Sequence, residues 1–264
     1  MTAQETAPKE LAPKDAPKNA PCVTLRNVTL GYDRHPAVHH LDGEIPPGAL
    51  LAVCGPNGAG KSTLFKALTG VLKPMGGTID LGGARTRDIG YLPQAAQVDL
   101  SFPIDVFDMA AMGLWRRIGL FGGLSRADEA KVHDALETVG LAGFERRPIG
   151  ALSGGQTQRL LFARLLLQDA SLILLDEPFA AIDERAVRDL LALIARWHRE
   201  GRTVVAVLHD FAMVRAHFPE CLLLAREKIA WGPTEQALST ESLARARMMI
   251  EAFDDKAAAC GRAA

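Results

Sequence analysis

The chain has 264 residues, 48% of them hydrophobic, and carries 30 Lys and Arg against 31 Asp and Glu, a formal net charge of −1. That length buries a substantial core in one large domain or two small ones, and so balanced a charge gives no electrostatic case for general nucleic-acid binding. The four cysteines, Cys22, Cys54, Cys221 and Cys260, form no CxxC pair, which argues for a reducing compartment and against structural zinc, and no apolar run approaches the roughly 20 residues of a membrane-spanning helix.

Residues 1–21 repeat Ala-Pro-Lys, bury nothing, and are expected to form an extended tail without the apolar core of a signal peptide. "VTLRNVTLGY" (Val23–Tyr32) predicts a β-strand by alternation and β-branched content. "HPAVHH", with His35, His39 and His40, reads as a surface turn entering a strand rather than a metal site. "ALLAVCGPNGAGKSTLFKALTG" (Ala49–Gly70) predicts a buried strand, a Gly-rich turn and a helix, and "GTIDLGG" and "RDIGYLPQ" two more short strands. From Ser101 the period becomes helical, so roughly residues 95–165 form a helical insert. Within it, Ser125 caps a helix that Gly140 ends.

"LSGGQTQRLLFARLLL" (Leu152–Leu167) opens a helix with a small polar turn. Ser153 and Gln156 make a capping box there, and the bare N–H groups also suit an anion. "SLILLDEP" (Ser171–Pro178) is a short apolar run ending in acids, as a buried parallel strand would be. "DERAVRDLLALIARWHREG" puts Val187, Leu190, Leu191, Ile194 and Trp197 on one helical face, stopped by Gly201. "TVVAVLHD" is the next buried strand, and "CLLLAREKIAWG" reads as a pair of edge strands. Residues 241–264 are helical at first and then frayed. Strand–helix alternation with short links implies an α/β fold with a mostly parallel core sheet, an antiparallel β part and the helical insert.

The Gly-rich turn "GPNGAGKST" (Gly55–Thr63) fits the phosphate-binding pattern G-x-x-x-x-G-K-[ST] in its required place between strand and helix. Gly55, Asn57, Gly58 and Gly60 would wrap backbone N–H groups around a β-phosphate. Lys61 would supply a point charge to the β- and γ-phosphates, Ser62 a ligand for Mg²⁺, and Thr63 a bond to the α-phosphate. Asp176 stands at the carboxyl end of a strand, where ligands bind in open α/β sheets, and can hold Mg²⁺. Glu177 is then placed to orient or deprotonate a water. Cys54, directly before Gly55, either packs as a small buried hydrophobe or faces the loop's amides, where a thiol reagent could reach it in the empty site.

The P-loop, LSGGQ and LLDEP motifs in this order resemble the nucleotide-binding subunit of an ABC transporter, a P-loop NTPase, over about residues 22–235. The resemblance implies an ATPase domain at 22–240. In it, Tyr32 stacks on adenine, Gln94 contacts Mg²⁺, His209 reaches the γ-phosphate, and Asp183 lies at a dimer seam or caps the next helix, or both. It implies further that two copies pair head to tail, with Ser153, Gly154, Gly155 and Gln156 of each covering the ATP held by the other's Lys61.

"DLSFPIDVFDMAAMG" resembles the ATPase subunits of bacterial zinc and manganese importers, zinc placed first, although Phe102, Ile104, Val106 and Phe107 also fit simple core positions. The implied partners are a second copy, an integral membrane permease and, indirectly, a periplasmic or extracellular metal-binding protein. The implied place is the cytoplasmic face of a bacterial inner membrane. An iron-chelate importer ATPase and a soluble ABC ATPase without a permease stand as alternatives.

Overall fold

The structure, a computed structural model, describes residues 22–32, 35–94, 98–119 and 122–251. The expected tail at 1–21, the stretch 252–264 with Cys260, and residues 95–97 and 120–121 of the insert lie outside them. The first half of the chain forms β1 (Val23–Tyr32), β2 (His35–Ile45), β3 (Leu50–Cys54), α1 (Lys61–Leu68), β4 (Gly76–Asp80) and β5 (Ile89–Leu92). Four helices follow: α2 (Val106–Ala111), α3 (Trp115–Ile118), α4 (Arg126–Thr138) and α5 (Gly154–Gln168). The chain then adds β6 (Leu172–Asp176), α6 (Glu184–Arg199), β7 (Thr203–Val207), α7 (Phe211–His217), β8 (Glu220–Ala225), β9 (Glu227–Pro233), α8 (Thr234–Ala237) and α9 (Thr240–Glu251).

These strands make two sheets. One is antiparallel, in the order β2-β1-β4, and the other has six strands in the order β5-β6-β7-β3-β8-β9. The second is parallel except at β9, which runs antiparallel to β8. The expected α/β architecture, mostly parallel with an antiparallel part and a helical insert, is the one observed. Apolar character on both faces explains the parallel strands: every residue of β3, β6 and β7 is buried.

Alternate residues of β3 feed two cores. Leu51 and Val53 join Leu64, Phe65 and Leu68 of α1 and the inner faces of β1 and β2. Leu50, Ala52 and Cys54 join the core that runs beneath α2, α4, α5 and α6. In that second core the rings of Phe162 and Trp197 stack with centroids 6.4 Å apart, locking α5 against α6. An ion pair between Arg116 of the insert and Asp88, just ahead of β5, ties the insert to the sheet at 3.0 Å.

Two expectations are corrected here. Of the two strands in "CLLLAREKIAWG" only β9 lies at the sheet edge, because β8 pairs with β3 on one side and β9 on the other. Its unbroken apolar run Cys221–Ala225, buried throughout, is that of an interior strand. "HPAVHH" is not a turn but the start of β2, held from His35 by pairing with Tyr32 of β1.

Candidate nucleotide site

The sheet order builds the site. The loop after β3 leads into α1, and β7, β6 and β5 lie beside β3 in that sequence. The parallel strands all end on one edge. The Gly-rich loop, His209, the pair Asp176–Glu177 and Gln94 therefore arrive side by side although they are far apart in the chain. A cleft of about 360 Å³ opens there, lined by Asn57, Gly58, Gly60, Lys61, Ser62, Thr63, Gln94 and Glu177, and walled by Ala37 of β2.

The loop's shape depends on its glycines. Gly60 is the N-cap of α1 at φ 93, and a Cβ there would overlap the Val38 side chain and the Ala37 carbonyl. Gly55, at φ 150, would drive a Cβ into the Leu224 carbonyl. The back of the loop is tied down through Arg226, whose backbone N–H donates to the Ala59 carbonyl at 3.1 Å. The Arg226 carbonyl accepts from His39 N–H at 2.7 Å.

Lys61 is buried, and its ammonium donates to the carbonyls of Gly55 at 2.8 Å and Pro56 at 2.9 Å. Burial lowers its pKa below the ordinary lysine value, while Glu177, Cys54 and Asp176 hold it up. Asp176 is wholly buried, and neither of its carboxylate oxygens has a hydrogen-bond partner in the geometry. Burial pushes its carboxyl above the usual range and Glu177 adds to this, while the Ser62 hydroxyl beside it, Lys61 and His209 act the other way. Glu177 sits in the left-handed region at φ 50, an uncommon and strained backbone for this residue type. Its Oε1 meets His209 Nε2 at 2.6 Å. An ionised carboxylate only accepts, so the imidazole N–H donates.

The remaining residues singled out from the sequence are not all gathered in the cleft. Tyr32 stands at the end of β1, 46% exposed and outside the lining. Ser153, Gly154, Gly155 and Gln156 begin α5 elsewhere. There the Ser153 hydroxyl accepts from Gln156 N–H, and the Gln156 side chain accepts from Ser153 N–H. Gly154 and Gly155 lie against Ala181, on the turn that leads to Asp183. Asp183 caps α6 by accepting from Ala186 N–H at 3.0 Å.

Of the two places open to Cys54, the structure takes the core. The parity of β3 turns its side chain away from α1 into the core beneath the insert, where it is fully buried. Hydrogen bonding to the Cys54 thiol, with burial, pushes the neighbouring Cys221 thiol well above its ordinary value.

A model of the family described as ABC transporter matches residues 38–180, which span the Gly-rich loop, the signature turn and the Asp176–Glu177 pair. This chain belongs to the ABC transporter family. It is an ATPase of that type, and the family's domain binds ATP.

The manganese transport system ATP-binding protein MntB of Bacillus subtilis is 40% identical over 84% of this chain and 90% of its own length. The zinc transport system ATP-binding protein TroB of Treponema pallidum is 37% identical over 85% of this chain and 86% of its own. Among solved structures, an inward-facing metal-chelate type ABC transporter superposes with a TM-score of 0.75 at 31% identity, covering 86% of this chain and 89% of that one. Among the described residues no helix is long and apolar enough to cross a membrane.

Three residues in contact with the cleft or with the residues singled out above were missed from the sequence. Ala37 carries no chemistry of its own and becomes a wall of the cleft only through the β2 pairing. Gln158, fully buried in α5, donates to the Pro178 carbonyl at 3.0 Å and so fastens the signature helix to the turn after Glu177. A polar side chain on the buried stripe of α5 was the available signal. Lys66 lies over the ring of Tyr32.

Proposed function

We propose that the chain hydrolyses Mg·ATP in a head-to-tail dimer and thereby energises a membrane permease that imports a divalent transition metal, manganese or zinc. The observation that carries the hydrolytic part is the convergence of Lys61, Gln94, Asp176, Glu177 and His209 on one sheet edge. The metal follows from the likeness to MntB and TroB and from "DLSFPIDVFDMAAMG".

The residues fit Mg²⁺. Ser62, Asp176 and Gln94 offer hydroxyl, carboxylate and amide oxygens, the hard donors this ion takes, and both Asp176 oxygens lack a protein partner. Bound Mg²⁺ supplies charge neutralisation on the phosphates. Lys61, already poised over the loop, would exchange the Gly55 and Pro56 carbonyls for β- and γ-phosphate oxygens. Glu177, held by His209, orients and deprotonates the attacking water. Asn57, Gly58, Gly60 and Thr63 hold the remaining phosphate oxygens, and Tyr32 stacks on the base. Ser153, Gly154, Gly155 and Gln156 at the start of α5 meet the γ-phosphate of the second copy, where the helix N-terminus favours an anion. Asp183 lies at the same seam. The chain then works at the cytoplasmic membrane face, beneath its permease, with a metal-binding protein delivering cargo on the far side.

The test is metal accumulation in cells that lack this chain and carry back either the wild type or Glu177→Gln. Restored uptake of labelled manganese or zinc by the wild type alone supports the reading. Unchanged accumulation of both metals, with ATPase activity intact in the purified protein, overturns the metal assignment.

A further inference from the structure

Tyr32 ends β1 opposite His35, two residues along the hairpin from Ala37, the wall of the cleft. Among the described residues it is one of seven large hydrophobic side chains left exposed. The ammonium of Lys66 lies over its ring, 5.5 Å from the centroid. That is within the range of a cation–π contact. Lys66 belongs to α1, the helix that grows out of the phosphate loop, and follows Lys61 by five residues. Five residues turn a helix by well over a full circle, so the two lysines leave α1 on different faces. One faces the loop, and the other faces the aromatic ring.

We propose that Lys66 is a positioning residue for the adenine base: it caps one face of the Tyr32 ring and holds it so that the other face receives the base. This rests on the reading that Tyr32 stacks on adenine. An exposed tyrosine at a strand end turns freely about its side-chain torsions, and a base that stacks on it must first stop that motion. A cation seated on one face removes part of this freedom in advance, which is preorganisation. It also ties the base platform to the same helix that carries Lys61, Ser62 and Thr63, so base and phosphates are presented by one rigid unit. Lys66 touches neither the phosphates nor the attacking water in this scheme. Its loss therefore weakens nucleotide binding without slowing the chemical step.

The experiment compares the full-length wild type with Lys66→Ala, Lys66→Arg, Tyr32→Ala and the Lys66→Ala/Tyr32→Ala double variant. The readouts are KM for ATP, kcat, and the affinity for tripolyphosphate, which offers phosphates without a base. Lys66→Ala is expected to raise KM about two- to five-fold, the range of an exposed cation–π contact, with kcat and tripolyphosphate affinity unchanged. Lys66→Arg should restore KM, since a guanidinium also sits on an aromatic face. Tyr32→Ala should raise KM further, and adding Lys66→Ala to it should change nothing more. Four results overturn the proposal: an equal loss of tripolyphosphate affinity, additive effects in the cycle, tighter ATP binding in Lys66→Ala, or no change in Lys66→Ala where Tyr32→Ala is impaired. An unchanged KM in Tyr32→Ala removes the base stacking itself, and the role of Lys66 with it.

Discussion

Asp176→Asn should make the nucleotide-free protein more stable and the nucleotide-bound protein less so. Both Asp176 oxygens are buried and make no full hydrogen bond, with only the Ser62 hydroxyl standing beside the carboxylate. A neutral orphaned polar group costs about 1–3 kcal/mol, and a charged one more. Asn keeps the shape, drops the charge and still leaves a polar group buried, so it recovers only part of that penalty, about 1 kcal/mol. For a domain of this size the expected rise in melting temperature is about 2–4 °C.

The gain should also depend on pH. Burial raises the folded pKa of Asp176 above its unfolded value. The wild type therefore binds this proton more tightly when folded. The resulting stability is fully present below the unfolded pKa and is lost as pH rises through the raised folded pKa. The advantage of Asn over Asp is accordingly small in acid and grows toward neutral pH. With Mg·ATP the order reverses. A ligand at about 100 times its Kd stabilises the wild type by about 2.7 kcal/mol, and the Mg²⁺-dependent share of that disappears with the carboxylate. Thermal denaturation across pH, with ATP alone and with Mg·ATP, reads both effects. A nucleotide-free Asp176→Asn protein that melts below the wild type at neutral pH would refute the reasoning.

Three further outcomes follow from the site. Glu177→Gln should keep ATP but lose about 10²–10⁴ in turnover, the usual cost of a missing general base, and should accumulate a dimer on size exclusion; wild-type turnover would take Glu177 out of that role. Ser153→Asp should leave the melting temperature near wild type, because Asp caps a helix as well as Ser does. The same variant should lose ATPase activity, because its carboxylate would face the partner's γ-phosphate, and an active, stable Ser153→Asp would remove Ser153 from ATP contact. Cys54 and Cys221 should resist a thiol reagent in the native protein at the same slow rate with and without ATP, and react on unfolding. Rapid labelling of the Cys54 peptide in the native state, read by mass spectrometry, would contradict its burial.

The sequence carried the strands and helices well where the signal was local. β1 begins and ends at Val23 and Tyr32 as its alternation indicates, and Ser125, Ser153 and Asp183 each cap the helix they precede. The phosphate loop was readable for the same reason, since its chemistry lies in nine consecutive residues, Gly55–Thr63. What failed depended on pairing between distant segments. An interior strand and an edge strand share an apolar run, so β8 could be placed only once β3 and β9 were found on either side of it. Cys54 could face the loop or the core, and one residue of strand parity decided it. The Glu177–His209 contact, the Gln158 anchor and the Lys66–Tyr32 contact each join residues 20 or more positions apart, at a register that local pattern does not encode.

The central claim of this account is that each ATP is held by the loop of one chain and the signature turn of another. Within one chain, residues 153–156 do not line the cleft of the Gly-rich loop. The most direct measurement is oxidative cross-linking in a Glu177→Gln background with Cys22 and Cys260 replaced by Ser. Protein carrying Asn57→Cys is mixed with protein carrying Ser153→Cys. The account predicts a covalent dimer on a denaturing gel only when the two are mixed and only in the presence of ATP, with neither variant cross-linking alone. A disulfide formed within a single chain carrying both cysteines, or no ATP-dependent cross-link in the mixture, would contradict it.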